Sequence, residues 1–580
     1  MTGSLTPATP EELLAALDPE QRQAAEELRG PVRVLAGAGT GKTRAITHRI
    51  AYGVATGTYS PDRVLALTFT ARAAGEMRTR LRHLGAGPVQ SVTFHSAALK
   101  QLGYFWPQVV GGQTPRILEK KSRALAEAAN VAGSKVDTAT IRDLATEVEW
   151  RKVSNLTLAA YEVKAHGRSM PGGLPVSQVM AIQQAYENLK DERAQIDFED
   201  VLLLTAGMIE SEPSVAMEVR ERYRFFVVDE YQDVSPLQHH LLNLWLGDRQ
   251  DLCVVGDASQ TIYSFTGATS DYLLEFPSAF PDATLVRLET NYRSTGPIVT
   301  AANALMRDRA GALQLTAQSP EGPVPEVNVY PNDAAEARGV AARIAGEIAA
   351  GTKPEDIAVL YRINVQGAAL EQALSDEGIN YLVHGATRFF DLPEVKQAIL
   401  ALRGASVSIS GEPLFKSVSD VLRSLGWTQT APETLGAVRA KWEALNALMV
   451  LADEARTGTS FRAFTDELMA RQEARHEPTM HAVTLASVHS AKGLEWESVH
   501  IIGMSEGLMP ISYATGIESI AEERRLVYVA VTRARKRLSL SWSEQGSQRA
   551  GSRSVSRFVA ELGMRIPPAG GTSRASSARS

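Results

Sequence analysis

Short runs of consecutive apolar residues alternate with stretches of helical periodicity in three parts of the chain. The first runs from about Gln21 to Ser96 and the second from Phe225 to Thr290. The third is discontinuous, from about Pro325 to Gly404 and again from His481 to about Leu562. Such alternation predicts parallel sheets with helical crossovers. Val32-Arg33-Val34-Leu35 and Phe225-Phe226-Val227-Val228 are clear buried-strand runs. Between these parts, Ala97 to Ile196 and Ala405 to Met480 read as helical throughout, with Trp427 and Trp442 as expected core anchors. The pattern therefore predicts an α/β protein with two sheet cores, each carrying a helical insertion. The expected boundaries are 1–96 and 197–287 for core 1, with insertion 97–196, and 288–404 and 481–565 for core 2, with insertion 405–480. Two consecutive prolines, Pro567 and Pro568, cannot continue a helix, so 566–580 is expected to be a disordered, solubilising tail.

Composition narrows the class. At 580 residues the chain has room for about four domains of roughly 150 residues each. No run of 18 apolar residues predicts a membrane span, and Met1 to Glu20 lacks the basic-then-apolar pattern of a secretory leader. The single cysteine, Cys253, excludes an internal disulfide and a cysteine-rich metal site. A cytoplasmic, nucleoid-associated protein is expected. A net charge of -6 does not by itself suggest a nucleic-acid protein; basic groups would have to line one groove.

The chemistry begins after the first strand run. Ala36-Gly37-Ala38-Gly39-Thr40-Gly41-Lys42-Thr43 joins a strand to a helical stretch, which is the context a P-loop requires. Its glycines let backbone N–H groups close around phosphates, Lys42 reaches the β- and γ-phosphates, and the Thr43 hydroxyl suits Mg²⁺. Phe225 to Val228 ends in Asp229-Glu230, as a Walker B strand does. Asp229 is assigned to the Mg²⁺ shell and Glu230 to the attacking water. Adjacent carboxylates point to opposite faces of an extended strand, so the pair needs a strand end. A kinase-like phosphotransferase shares these two motifs and is a rival at this point.

Further segments carry a family resemblance. Asp229-Glu230-Tyr231-Gln232-Asp233 resembles the second motif of superfamily 1A helicases of the UvrD/Rep/PcrA type. In the family's order, Leu17 to Gln21 resembles the Q motif, Leu67 to Ala74 motif Ia, and Thr93 to Ser96 motif Ib. Asp197 to Leu202 resembles the short motif before the Walker B strand, and Val255 to Tyr263 resembles motif III. Leu288 to Thr295 resembles motif IV, Val488 to Trp496 motif V, and Glu523 to Ala534 motif VI. The resemblance runs from about Leu17 to Phe558 and implies two RecA-like cores and a 3′-to-5′ single-stranded DNA motor in DNA repair or replication restart, an actinobacterial UvrD-like chain in short form. It implies that Gln21 reads adenine, Tyr292 stacks on it, Glu495 bonds the ribose and Gln260 senses the γ-phosphate. Arg44 is counted with the ATP-binding residues. Arg293 and Arg533 fall in the family's arginine-finger positions, and such a finger supplies on the order of 10³–10⁵ in rate. For Arg293 a surface ion pair with Glu289 is the structural alternative.

For DNA the candidates are Phe69, Thr93, Phe94, His95, Tyr263, Phe265 and His489, since stacking on aromatics holds any base. The alternative for any one of these rings is core packing. The implied cofactors are ATP and Mg²⁺; the implied partners are single-stranded DNA, 3′-tailed duplex DNA and repair proteins. Two departures bear on unwinding. Phe265-Thr266 stands where the family usually shows Trp-Arg, and the second insertion is short. A protein-stripping translocase and an ATP-gated DNA-binding or recruitment protein are therefore the alternatives.

Overall fold

The structure, a computed structural model, describes residues 8–168, 170–384, 390, 392–408, 411–430, 437–453, 455, 458–474, 481–546 and 552–566. The expected tail from 567 onward, and the expected end of the second insertion over 475–480, lie outside the described residues. The chain divides into two units. One comprises 1–37 and 41–288, the other 38–40 and 289–580.

The first unit is built on six parallel strands: β1 (Val32–Ala36), β2 (Val64–Thr68), β3 (Gln90–Thr93), β4 (Phe225–Val228), β5 (Leu252–Gly256) and β6 (Thr284–Leu288). Their order across the sheet is β3-β2-β4-β5-β1-β6. Val34 lies opposite Val255 on one side and Val286 on the other. Every residue of β2, β4 and β5 is buried, which explains why these segments read as continuous apolar runs rather than alternation: helices cover both faces. Because all six strands run one way, the loops after β1, β4 and β5 leave the sheet at the same edge, where α/β sheets place their ligands.

Between β3 and β4 the chain is helical. Helices Lys121–Val131, Thr138–Val153, Leu158–Ala165 and Val176–Glu192 share one core that includes Leu125, Leu144, Tyr161 and Tyr186. Asp137 and Thr157 start two of them by accepting N–H groups of the first turn.

The second unit repeats the plan. Its strands β7 (Glu326–Tyr330), β8 (Ile357–Tyr361), β9 (Tyr381–His384), β10 (Val483–Ser487), β11 (Trp496–Ile501) and β12 (Ala534–Ser543) are parallel, in the order β7-β12-β11-β8-β10-β9. These are two doubly wound α/β cores of the RecA-like kind. Helices Pro393–Ser408, Leu414–Ser424, Ala437–Asp453 and Phe461–Ala474 form a separate core with Trp427 and Trp442. Each tryptophan N–H has a partner: Asn446 Oδ1 at 3.1 Å and the Thr428 carbonyl at 2.8 Å. This bundle begins before the expected Ala405, because helix 393–408 turns Val395, Ala398 and Leu402 into it.

Candidate functional site

The loop after β1 has glycines where the backbone is left-handed: Gly39 at φ +71 and Gly41 at φ +79. Only glycine takes these angles without strain. Gly41 opens helix Lys42–Ala55, whose N-terminus has no side-chain cap, the kind of helix start at which backbone N–H groups can bind an anion. Gln21 is buried, and its Nε2 would lie 2.6 Å from a Cβ placed on Gly41. Its helix, Pro19–Glu26, starts at Asp18, whose carboxylate accepts the Gln21 N–H at 2.7 Å. Arg44 donates to the Ala16 carbonyl at 2.5 Å, and the Thr43 carbonyl accepts the Thr47 hydroxyl at 2.8 Å. The loop, Gln21 and Arg44 thus come together around the start of one helix.

Across the sheet, Asp229 follows the end of β4, and its N–H still pairs with the Leu67 carbonyl at 2.9 Å. The next residue, Glu230, has φ +52, a conformation a side-chain-bearing residue rarely adopts. That break from the extended strand brings the second carboxylate round: Glu230 Oε1 lies 3.9 Å from Lys42 Nζ. Burial, and then the neighbouring Glu230 carboxylate, push Asp229 up to about 7, while Lys42 works the other way. Asp229 is buried and Glu230 beside it only partly so, and positive charge next to the buried carboxylate would favour its ionised form. Thr43 and Asp229 offer only hard oxygen donors, which fit Mg²⁺ completed by phosphate and water. Among the described residues no group of three or more His, Cys, Asp or Glu is placed to hold a metal ion.

After β5, Asp257 caps a short turn, accepting the Ser259 N–H at 3.0 Å and the Gln260 Nε2 at 2.7 Å. Gln260 is buried. Three residues on, Tyr263 stacks on Phe69, with ring centroids 5.4 Å apart and planes 16° apart, and meets Phe265 edge-on at 6.1 Å. Phe69 and Phe265 are 40% and 55% exposed, so these rings form a surface platform rather than a core.

Phe94 corrects an expectation. It is buried, stacked on Trp245 at 5.9 Å, and that indole donates to Gln101 Oε1 at 2.8 Å. It packs the core and presents no face to a base. Thr93 caps the same helix by accepting the Ser96 N–H at 3.2 Å. His95 lies beneath Phe198, at 4.0 Å and 11°. Burial holds it at about 4, so it is neutral at pH 7. Phe198 is 53% exposed, which the sequence alone does not signal. Its spacing to Val201 and Leu202 places it on the apolar face of its helix, so periodicity disguises an exposed ring as a core residue.

In the second unit, Arg293 on the strand Thr290–Thr295 donates to Glu495 Oε2 at 2.5 Å and to the Thr532 carbonyl at 3.3 Å. Its ion-pair partner is thus Glu495 rather than Glu289. Tyr292 beside it is 47% exposed. Arg533 is buried; it donates to the carbonyls of Val529 and Leu494, both at 3.0 Å. His489 is half-buried, and burial, with Arg362 nearby, holds it at about 4. Arg362 in turn clasps Glu523 with two nitrogens, at 3.1 and 2.8 Å.

Comparison with known proteins matches the same segments. A model of the UvrD/REP helicase N-terminal domain matches residues 17–281, and one of the UvrD-like helicase C-terminal domain matches 286–428 and 413–545. The chain is 46% identical to the ATP-dependent DNA helicase UvrD2 of Mycobacterium tuberculosis, over 97% of this chain and 84% of that protein. It is 28% identical to the ATP-dependent DNA helicase PcrA of Bacillus subtilis, over 95% of this chain and 86% of the relative. With DNA helicase II of Escherichia coli it shares 29% identity, over 95% and 88%. A nucleotide loop, a carboxylate pair and an aromatic platform on one sheet edge, with family models over both units, make this chain a member of the UvrD-like helicase family.

Proposed function

We propose that the protein is an ATP- and Mg²⁺-dependent motor that moves 3′-to-5′ along single-stranded DNA and acts in DNA repair or replication restart. One observation carries this reading: Gln260 of the nucleotide side and Tyr263 of the base platform stand three residues apart on one loop. A change at the γ-phosphate then has the shortest covalent route to the bases. Lys42, Thr43, Gln21 and Arg44 bind the nucleotide; Thr43 and Asp229 hold Mg²⁺; Glu230 orients and deprotonates the attacking water. Mg²⁺ supplies charge neutralisation on the transferring phosphoryl group. Arg293 and Arg533 are the finger residues, Tyr292 and Glu495 the adenosine contacts. Phe69, Tyr263, Phe265 and Phe198, with Thr93, His95 and His489, face the strand. Repair proteins are the expected partners.

A second reading, translocation that strips bound proteins with little unwinding, is favoured by two features. Thr266 spends its hydroxyl on the Tyr263 carbonyl at 2.8 Å, where a guanidinium would reach outward. The C-terminal family model breaks into segments overlapping at 413–428, inside the second helical bundle. The deciding experiment compares ATPase rate with and without single-stranded DNA, then unwinding of 3′-tailed and 5′-tailed duplexes. ATPase stimulation with unwinding from the 3′ tail supports the motor; stimulation without unwinding selects the stripping translocase; no stimulation overturns both and leaves an ATP-gated DNA-binding protein.

A further inference from the structure

The turn after β4 contains a side chain to which the hydrolytic scheme above gives no part. Gln232 is fully buried, at 0% exposure, in the turn Tyr231–Asp233. Its Nε2 donates to Glu230 Oε2 at 2.5 Å and to Asp233 Oδ2 at 3.3 Å. Its Oε1 accepts the Asp257 N–H at 2.9 Å. The amide has only one workable orientation. Reversed, its oxygen would face two carboxylate oxygens and its NH₂ would face a backbone N–H.

These contacts join two loops. On one side is the carboxylate assigned to the attacking water. On the other is the residue that holds Gln260, since Asp257 accepts the Gln260 Nε2 at 2.7 Å. The chain also meets Gln232 through its backbone: the Thr261 hydroxyl donates to the Gln232 carbonyl at 3.4 Å. The last residue of β5, Gly256, leaves room for the amide. A Cβ there would lie 2.5 Å from Gln232 Oε1 and 3.2 Å from Gln232 N. The line Glu230–Gln232–Asp257–Gln260 is therefore unbroken, and Tyr263 follows it directly on the platform.

We infer that Gln232 is a positioning residue: it fixes the Glu230 carboxylate in register with the loop 257–263, so that base engagement at Tyr263 and Phe265 sets the geometry for hydrolysis. This rests on the motor reading. A buried amide is a suitable relay, because one rigid group donates to one loop and accepts from the other. Displacement of either loop displaces the carboxylate, and misplacement of about 1 Å at a reacting group costs on the order of 10²-fold in rate.

The test uses the full chain with Gln232→Met, which keeps length and burial but has no polar head, and Gly256→Ala, which crowds the same amide from the opposite side. The measurements are kcat and KM for ATP with and without oligo-dT, oligo-dT affinity, and melting temperature. Gln232→Met should lose stimulation by oligo-dT by about 10²-fold in kcat, with KM for ATP and oligo-dT affinity within about threefold of wild type. Gly256→Ala should show the same split at smaller amplitude. Parallel losses in kcat, KM and DNA affinity, tracking a lower melting temperature, would mean a structural role only and overturn the inference. Retained stimulation in both variants would do the same. If Gln232→Met does not fold, Gly256→Ala decides alone by the same split. A wild-type protein without stimulation would instead overturn the motor reading itself.

Discussion

Lys152 has 1% of its side chain exposed and sits among three carboxylates: 2.7 Å from Asp197, 2.6 Å from Asp200 and 3.0 Å from Glu187. Lys190 bridges the same three, and Arg151 meets Glu187 at 2.8 Å. Arg151, Lys152 and Lys190 thus balance Glu187, Asp197 and Asp200, with the Tyr186 hydroxyl donating to Asp197 at 3.1 Å. Lys152→Met keeps the aliphatic stem, so the cavity is small, but it leaves one negative charge buried without compensation. Breaking such a pair costs about 3–5 kcal/mol. Hydrogen exchange over residues 138–192 reads this locally, without assuming that the whole chain unfolds in one step. The expected result is a loss of protection of about 10²- to 4 × 10³-fold, at roughly 1.4 kcal/mol per decade. Asp200→Asn added to Lys152→Met restores charge balance and should recover part of the loss. Because Asp197 and Asp200 flank Phe198, the single variant should also weaken binding to oligo-dT. A change in protection below about fivefold would refute the charge-balance argument. Acid gives an independent check. Burial, which raises Asp197, is outweighed by Lys152, Lys190 and Lys121, which hold it well below the usual carboxylate value. Its contribution is then present above that ordinary value, near pH 4, and is lost as pH falls below it.

Three further outcomes follow from the same geometry. Phe198→Ala should weaken oligo-dT binding by about 1–3 kcal/mol in a fluorescence titration and leave thermal stability nearly unchanged, whereas Phe94→Ala should cost about 3–5 kcal/mol of stability in a denaturant titration. Arg293→Ala should lower ATP turnover by on the order of 10³-fold in a steady-state assay while leaving ATP affinity within a few-fold; equal loss of both contradicts the finger role. Burial places His95, His239 and His489 at about 4, below the ordinary histidine value of 6.5. The unfolded chain then binds more protons between those values, so stability should fall as pH drops from about 6.5 to about 4. A urea midpoint that stays flat across that window would contradict the burial of these rings.

The parts of the fold that the sequence makes legible are those with a local cause. β4 and β5 read as apolar runs because both sheet faces are covered. The glycines at 39 and 41 announce their own backbone angles, and Trp427 and Trp442 announce a second core. What stays hidden depends on partners far along the chain. Asp197 and Asp200 stand out as a motif, yet their reason is two lysines on helices 45 and 10 residues before them. Phe94 and Phe198 each look like the other's role, because periodicity reports a helix face and not whether anything packs against it.

The position of Glu230 shows how the two kinds of information meet. A strand alone would send Asp229 and Glu230 apart, and the sequence offers only their adjacency. The left-handed backbone at Glu230 turns the second carboxylate toward Lys42. A side-chain-bearing residue holds that conformation only where its surroundings impose it, at a cost of order 1–3 kcal/mol. Here the surroundings are the buried Gln232 amide on one carboxylate oxygen and Lys42 near the other. The strain and the relay are therefore one feature. Relaxing the turn would release Glu230 from both Lys42 and the loop that carries Tyr263, so the proposed coupling of hydrolysis to base stacking gives a reason for the turn to stay strained.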